Sequence, residues 1–171
     1  MKEKNKIITS VYNSPCGTLL LGSLGNKLCL CDWHAERHRD HVDKRLQRIL
    51  NAEFYEGSSP VIDISVAQLD EYFKGNRQEF DVPLLFVGTD FQKKVWNALL
   101  EIPYGKTVSY RELARQIGMP KAVRAVANAN GANSISILAP CHRVIGSDHT
   151  LTGYGGGLPV KEYLLKLEKA I

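Results

Sequence analysis

What this sequence lacks narrows it before any motif is considered. No stretch approaches the roughly 20 apolar residues that a membrane-spanning helix needs, and neither an internal repeat nor a low-complexity tract is present. Helical membrane proteins, solenoids and disordered linkers are therefore excluded. The opening residues Met1-Lys2-Glu3-Lys4-Asn5-Lys6 have no apolar core of a secretory signal, so a cytoplasmic location is expected. Cysteine is scarce, four residues in 171, and in a reducing compartment all four stay thiols. Cys29 and Cys31 lie near His34, His38 and His41, but the spacing matches no familiar zinc pattern. Buried thiols and solvated histidines are expected there, with no metal and no cofactor. Neither sign of charge dominates: 22 basic against 18 acidic residues gives a net +4. That mild excess suits nucleic acid without requiring it.

What is present divides at about residue 86. Residues 1–86 are expected to form a small α/β domain built on an antiparallel sheet with helices. Apolar, β-branched Lys6 to Tyr12 is followed by turn chemistry at Asn13 to Gly17, and then by a second apolar run, Thr18 to Leu21. Gly25-Asn26 turns the chain into Lys27 to Trp33. Val42, Leu46, Ile49 and Leu50 share one helical face, and so do Val66, Leu69 and Phe73, with Gly75 placed to end that helix. Gln78 to Val82 is predicted as a last strand. No motif in this half carries chemistry.

Residues 87–171 are expected to be mainly helical. Thr89 and Gln92 have capping-box spacing, as do Ser109 and Glu112. The first pair opens a helix with Phe91, Val95 and Ile102 inward, ended by Pro103-Tyr104-Gly105. The second opens a short helix with Leu113, Ala114 and Ile117 inward. Gly118 ends it, and Pro120 suits the first turn of a helix over Lys121 to Asn130. Two short helices around a glycine turn make a helix-turn-helix. Four alanines keep the second helix slim, and Lys121, Arg124 and Asn128 fall on one polar face. Such a face suits either a nucleic-acid groove or plain solvation. A glycine-rich loop, Gly153 to Gly157, precedes a last helix on which Lys161, Leu164, Leu165 and Glu168 share a face.

Cys141 is followed directly by His142 and Arg143. A cysteine attacks only as thiolate, which needs a nearby base or cation. From these residues alone Cys141 is either a nucleophile or a packed structural thiol. The surrounding segment adds more. Pro140-Cys141-His142-Arg143-Val144 resembles the active-site signature of the O6-alkylguanine-DNA alkyltransferases. The likeness extends over Phe91-Gln92, Val95-Trp96, Ile102-Pro103-Tyr104-Gly105, Val108-Ser109-Tyr110, Lys121 to Val126, Asn133, and Gly153-Tyr154 through Glu168. That is nearly all of the second half, in the family's order.

The resemblance implies a ribonuclease H-like first domain and a winged-helix, helix-turn-helix second domain. It implies that Cys141 accepts an alkyl group, that His142 takes its proton through a water, and that Glu168 orients His142. Tyr110 would neutralise charge on the departing base, and Asn133 would brace the turn before Cys141. Arg124 would fill the space left by a flipped nucleotide, while Tyr154 and the glycine loop would wall the base pocket. Lys121, Asn128, Gly155, Lys161 and Arg143 complete the residues expected to face DNA or the base. The implied partner is double-stranded DNA carrying O6-alkylguanine, with O4-alkylthymine a second lesion, met by a monomer. A lesion binder without transfer and a cysteine hydrolase are the alternatives. Ser134 stands where the family has proline, which predicts a looser turn after Asn133. Gly155 replaces a serine of some relatives.

Overall fold

The computed structural model describes residues 3–34 and 39–171. The chain begins with three antiparallel strands, β1 (Asn5–Ser14), β2 (Gly17–Leu24) and β3 (Lys27–Trp33). α1 (Arg39–Leu50) then leads into β4 (Ala52–Glu56), which pairs with β1 in parallel. The sheet order is β3-β2-β1-β4, so the expected antiparallel meander gains a parallel fourth strand and becomes mixed. The predicted strand over Gln78 to Val82 does not form. That segment runs beside α2 (Pro60–Phe73), where the amide of Asp81 donates to Gln68 Oε1 at 3.2 Å. α2 is capped by the Ser59 hydroxyl, which accepts from the Ile62 amide, and Pro60 follows at its first turn. In α1, Val42 and Leu46 are buried, but Ile49 is exposed, contrary to expectation. His38 falls outside the described residues.

Strand β3 is an edge strand, and the protein covers its open backbone with the linker and with one piece of the second half. The linker pairs with it first, through Leu28 N to Pro83 O and Leu85 N to Leu28 O. Then Cys31 N donates to Ser134 O at 2.8 Å, and Ser136 N donates to Cys31 O at 2.7 Å. An edge left open would be a template for pairing with another chain. At Cys31 it becomes a seam between the halves. A register shift at Gly22/Ser23 opposite Cys29 breaks the strand's alternation. Cys29 therefore joins the cluster of Ile7, Val42 and Leu46, whereas Cys31 joins Leu19, Leu21 and Ile135. The two thiols do not share a face. Among the described residues no three His, Cys, Asp or Glu side chains gather into a metal-binding group.

The second half opens with α3 (Asp90–Leu99), capped by the expected Thr89/Gln92 box. β5 (Val108–Ser109) and α4 (Tyr110–Gln116) follow, with the Ser109/Glu112 box also formed. A glycine turn at Gly118 leads to α5 (Val123–Gly131). This helix starts later than expected, so Pro120 and Lys121 lie in the turn before it. A single turn of 3₁₀ helix holds Cys141–Arg143, then β6 (Val144–Ile145) pairs in parallel with β5, and α6 (Leu158–Leu167) closes the chain. The largest buried cluster draws on both halves, joining Leu19, Leu21, Ile62, Leu69 and Tyr72 to Ile137, Leu138 and Leu164. No helix among the described residues is long and apolar enough to cross a membrane.

Candidate active site

The segment leading to Cys141 is held from several directions. Asn133 donates through Nδ2 to the carbonyls of Ile135 (3.2 Å) and Ala139 (2.9 Å), and its Oδ1 accepts from the Ile135 amide (3.0 Å). A buried amide bridging both ends of a turn fixes that turn's shape. Ser134 does not loosen it. Its hydroxyl donates to Cys29 O at 3.2 Å and ties the turn to β3. Asn130, at the end of α5, donates to Cys141 O at 3.4 Å. Asn130 was not anticipated, because nothing local in the sequence distinguishes it from a solvated turn residue.

Cys141 is 5% exposed. Burial pushes its thiol up, while hydrogen bonds from Asn133 and Ser136 and the Lys161 charge pull the other way. The next residue is wholly buried, with His142 Nε2 2.7 Å from Glu168 Oε2. His142 Nδ1 is buried without a hydrogen-bond partner among the described residues. Burial lowers the imidazole's proton affinity, and the Glu168 carboxylate opposes this. For Glu168, burial alone would raise the carboxyl. His142 and Arg143 override it and hold it at about 2. The geometry thus has a thiol, an adjacent imidazole with one nitrogen unsatisfied, and an ionised carboxylate on the other nitrogen. Nucleophile, base and orienting group follow the order used by cysteine nucleophiles generally.

Two residues expected to face DNA are instead buried. Arg143 donates Nε to Glu168 Oε1 (2.8 Å), Nη2 to Glu168 Oε2 (3.1 Å) and Nη1 to Ile102 O (2.7 Å). Its guanidinium also lies over the Tyr104 ring. Lys161 is fully buried and donates to Val144 O (2.6 Å), Thr152 O (2.7 Å) and Gly153 O (3.5 Å). Burial lowers its ammonium to about 8, with Cys141 acting against that shift. Both cations are already committed to protein acceptors, so neither can reach a phosphate. Arg143 clamps the carboxylate, and Lys161 fastens the glycine loop to β6.

The remaining expected residues occupy two places. Lys121, Arg124 and Asn128 are exposed around the start and outer face of α5, although Lys121 precedes the helix. Tyr154 and Gly155 line a small cavity with Cys141, Asn133, Ser136 and Gly153. Tyr110 is half-buried, and its hydroxyl donates to Thr152 O at 3.2 Å. A larger groove of about 690 Å³, lined by Phe80, Tyr104, Pro140 and Arg143, does not include Cys141.

The first half also reaches the site. Trp33 Nε1 donates to the Tyr154 hydroxyl at 3.2 Å. Gly156 packs so tightly that a Cβ there would lie 2.9 Å from three Trp33 ring atoms. Tyr72 donates to Glu168 Oε2 at 2.5 Å. Arg45 lies over the Trp96 ring and donates to Ala132 O at 2.8 Å, at the end of α5. The one readable signal was Tyr72, on the same helical face as Leu69 and Ile62. A hydroxyl on a buried stripe must find a partner.

Residues 7–86 match the ribonuclease-like domain of 6-O-methylguanine DNA methyltransferase, and residues 90–170 match its DNA binding domain. The chain is 45% identical over 159 residues to a methylated-DNA–protein-cysteine methyltransferase of Methanosarcina barkeri, covering 93% of this chain and 95% of that one. Against a protein of the same description from Mycobacterium tuberculosis it is 60% identical over 106 residues, 62% of this chain and 64% of that one. The solved structure of Mycobacterium tuberculosis OGT in complex with DNA superposes with a TM-score of 0.80 at 45% identity, covering 96% of this chain and 93% of that one.

Proposed function

The chain belongs to the 6-O-methylguanine DNA methyltransferase family, and from that premise we propose how its own residues carry out DNA repair by transfer of an alkyl group from O6-alkylguanine to Cys141. The observation that carries this reading is the buried His142–Glu168 pair, in which His142 follows Cys141 directly and keeps Nδ1 unsatisfied. Cys141 Sγ attacks the alkyl carbon. The S–C bond forms as the C–O6 bond breaks, and the electron pair leaves with guanine. The thiol proton passes through a bridging water to His142 Nδ1, and Glu168 holds the resulting imidazolium. Tyr110, whose hydroxyl donates to Thr152 O beside the glycine loop, neutralises charge on the departing base. The product is a thioether that no group here can hydrolyse, so each molecule acts once.

The substrate base must leave the duplex, which costs a few kcal/mol. Arg124, exposed at the start of α5, fills the space it leaves. Lys121 and Asn128 contact the backbone beside it, with Tyr154 and Gly155 on either side of the base. The cavity beside Cys141 has a volume of about 10 Å³, close to what one water occupies. A purine therefore enters only as the Gly153–Gly157 loop yields. Residues 87–171 bind DNA and accept the alkyl group, and residues 1–86 support them. The protein works in the cytoplasm as a monomer, and O4-alkylthymine is a second substrate.

Intact mass after incubation with a duplex containing O6-methylguanine tests this directly. One added methyl on the Cys141 peptide is expected, with Cys141→Ala retaining DNA binding but gaining no mass. Methyl removal by Cys141→Ala, or several turnovers per protein, would refute the reading.

A further inference from the structure

We propose that Tyr72, contributed by the first half of the chain, is a positioning residue for the transfer, acting through Glu168 on His142. The proposal rests on Cys141 being the acceptor. A carboxylate offers about four lone-pair sites, and Glu168 has four donors to fill them. Arg143 Nε occupies Oε1, while Tyr72, His142 and Arg143 Nη2 share Oε2. Tyr72 makes a short bond of 2.5 Å, and its ring is fully buried. Edge contacts with Phe73 (centroids 5.2 Å, 82°) and Tyr104 (6.4 Å, 86°), and a tilted contact with Phe80 (5.6 Å), surround the ring. So caged, the ring aims its hydroxyl at a single oxygen, the one that also receives His142.

This arrangement has two effects. It fixes Oε2 relative to the imidazole, so that Nδ1 keeps facing the acceptor side. It also spreads the carboxylate's charge over four donors, so Glu168 stays ionised when an imidazolium forms beside it. The proton taken from Cys141 then rests on His142 and does not move on to Glu168. Tyr72 keeps its own proton, since burial and the Glu168 charge push the phenol well above its ordinary value. The charged and titratable groups facing the pair are Arg143 from its own turn, Lys161 from α6, Tyr72 from α2, and Tyr104 from the loop after α3.

Packing of α2 against α6 is the competing role for Tyr72, and phenylalanine would satisfy it. Tyr72→Phe thus isolates the hydroxyl. Single-turnover methyl transfer should be measured across the range where imidazole titrates. The plateau rate is expected to fall about fivefold to tenfold, with duplex affinity unchanged. The acid limb should move up by about half a unit, because a carboxylate with one donor fewer holds the imidazolium more tightly. In a Glu168→Gln background the same substitution should add nothing. An unchanged rate, or uniform slowing with an unmoved acid limb, overturns the proposal. NMR titration of His142 in Cys141→Ala, with and without Tyr72→Phe, provides a readout independent of transfer. An upward shift supports the coupling and no shift overturns it. Absence of methyl transfer by the unsubstituted protein would overturn the acceptor reading, and with it Tyr72's part in the reaction, whatever the titration shows.

Discussion

The second half of this protein uses its cations in two opposite ways. On the turn and helix around α5, Lys121 and Arg124 stand in solvent. Twenty to forty residues later, Arg143 and Lys161 are buried, each with its donors committed to protein oxygens. An exposed cation is cheap to hold and can exchange water for phosphate, releasing counterions as it does so. A buried one costs several kcal/mol to desolvate and remains only because its partners are in place. On the function proposed above, the same residue types serve recognition in one region and architecture in the other, and burial separates the two.

The largest expected effect that sharpens this contrast is at Arg143. Arg143→Ala leaves Glu168 buried beside His142 without its main cation, and should destabilise the fold by about 3–5 kcal/mol in urea titration. If the variant melted normally and lost only DNA affinity, the division drawn here would collapse. Next comes Arg124→Ala, expected to weaken lesion binding by about 1–3 kcal/mol in fluorescence titration while its melting temperature stays put. A drop in stability there would mean that Arg124 has a partner within the fold. The smallest effect is at Lys121. Lys121→Ala should cost less than about 1 kcal/mol and reduce the salt slope of duplex binding by about 1. An unchanged slope would remove Lys121 from the phosphate contacts.

The elements that sequence made legible are those with local signatures. Both capping boxes, the glycine-ended α2 and the helix-turn-helix were readable from a few neighbouring residues. Strand β4 was not. Glu53, Tyr55 and Glu56 are exposed on a short edge strand, so the segment shows no apolar alternation. Its pairing with β1 comes from across the chain. The same limit applies at the site. Cys141, His142 and Glu168 were legible through motif and helical spacing, and the structure brings the latter two within 2.7 Å. Spacing could place Lys161 on the inward face of α6, but it could not say that three carbonyls wait there. A last strand was expected at Gln78 to Val82, whereas backbone pairing with β3 falls just beyond it, at residues 83–85.

The bonds that complete the site join residues far apart in the chain: Tyr72 and Glu168 are 96 residues apart, and Trp33 and Tyr154 are 121 apart. Contacts of such separation close long loops, and that closure costs conformational entropy. A chain emerging from synthesis, or one partly unravelled, carries Cys141 but not the polarised imidazole beside it. Its thiol is then exposed and unshifted, whereas in the folded protein burial pushes it up. An acceptor that can be used once thus gains its base and its shelter together: closing these long-range bonds brings Glu168 to His142, and the folded chain leaves Cys141 only 5% exposed to stray electrophiles.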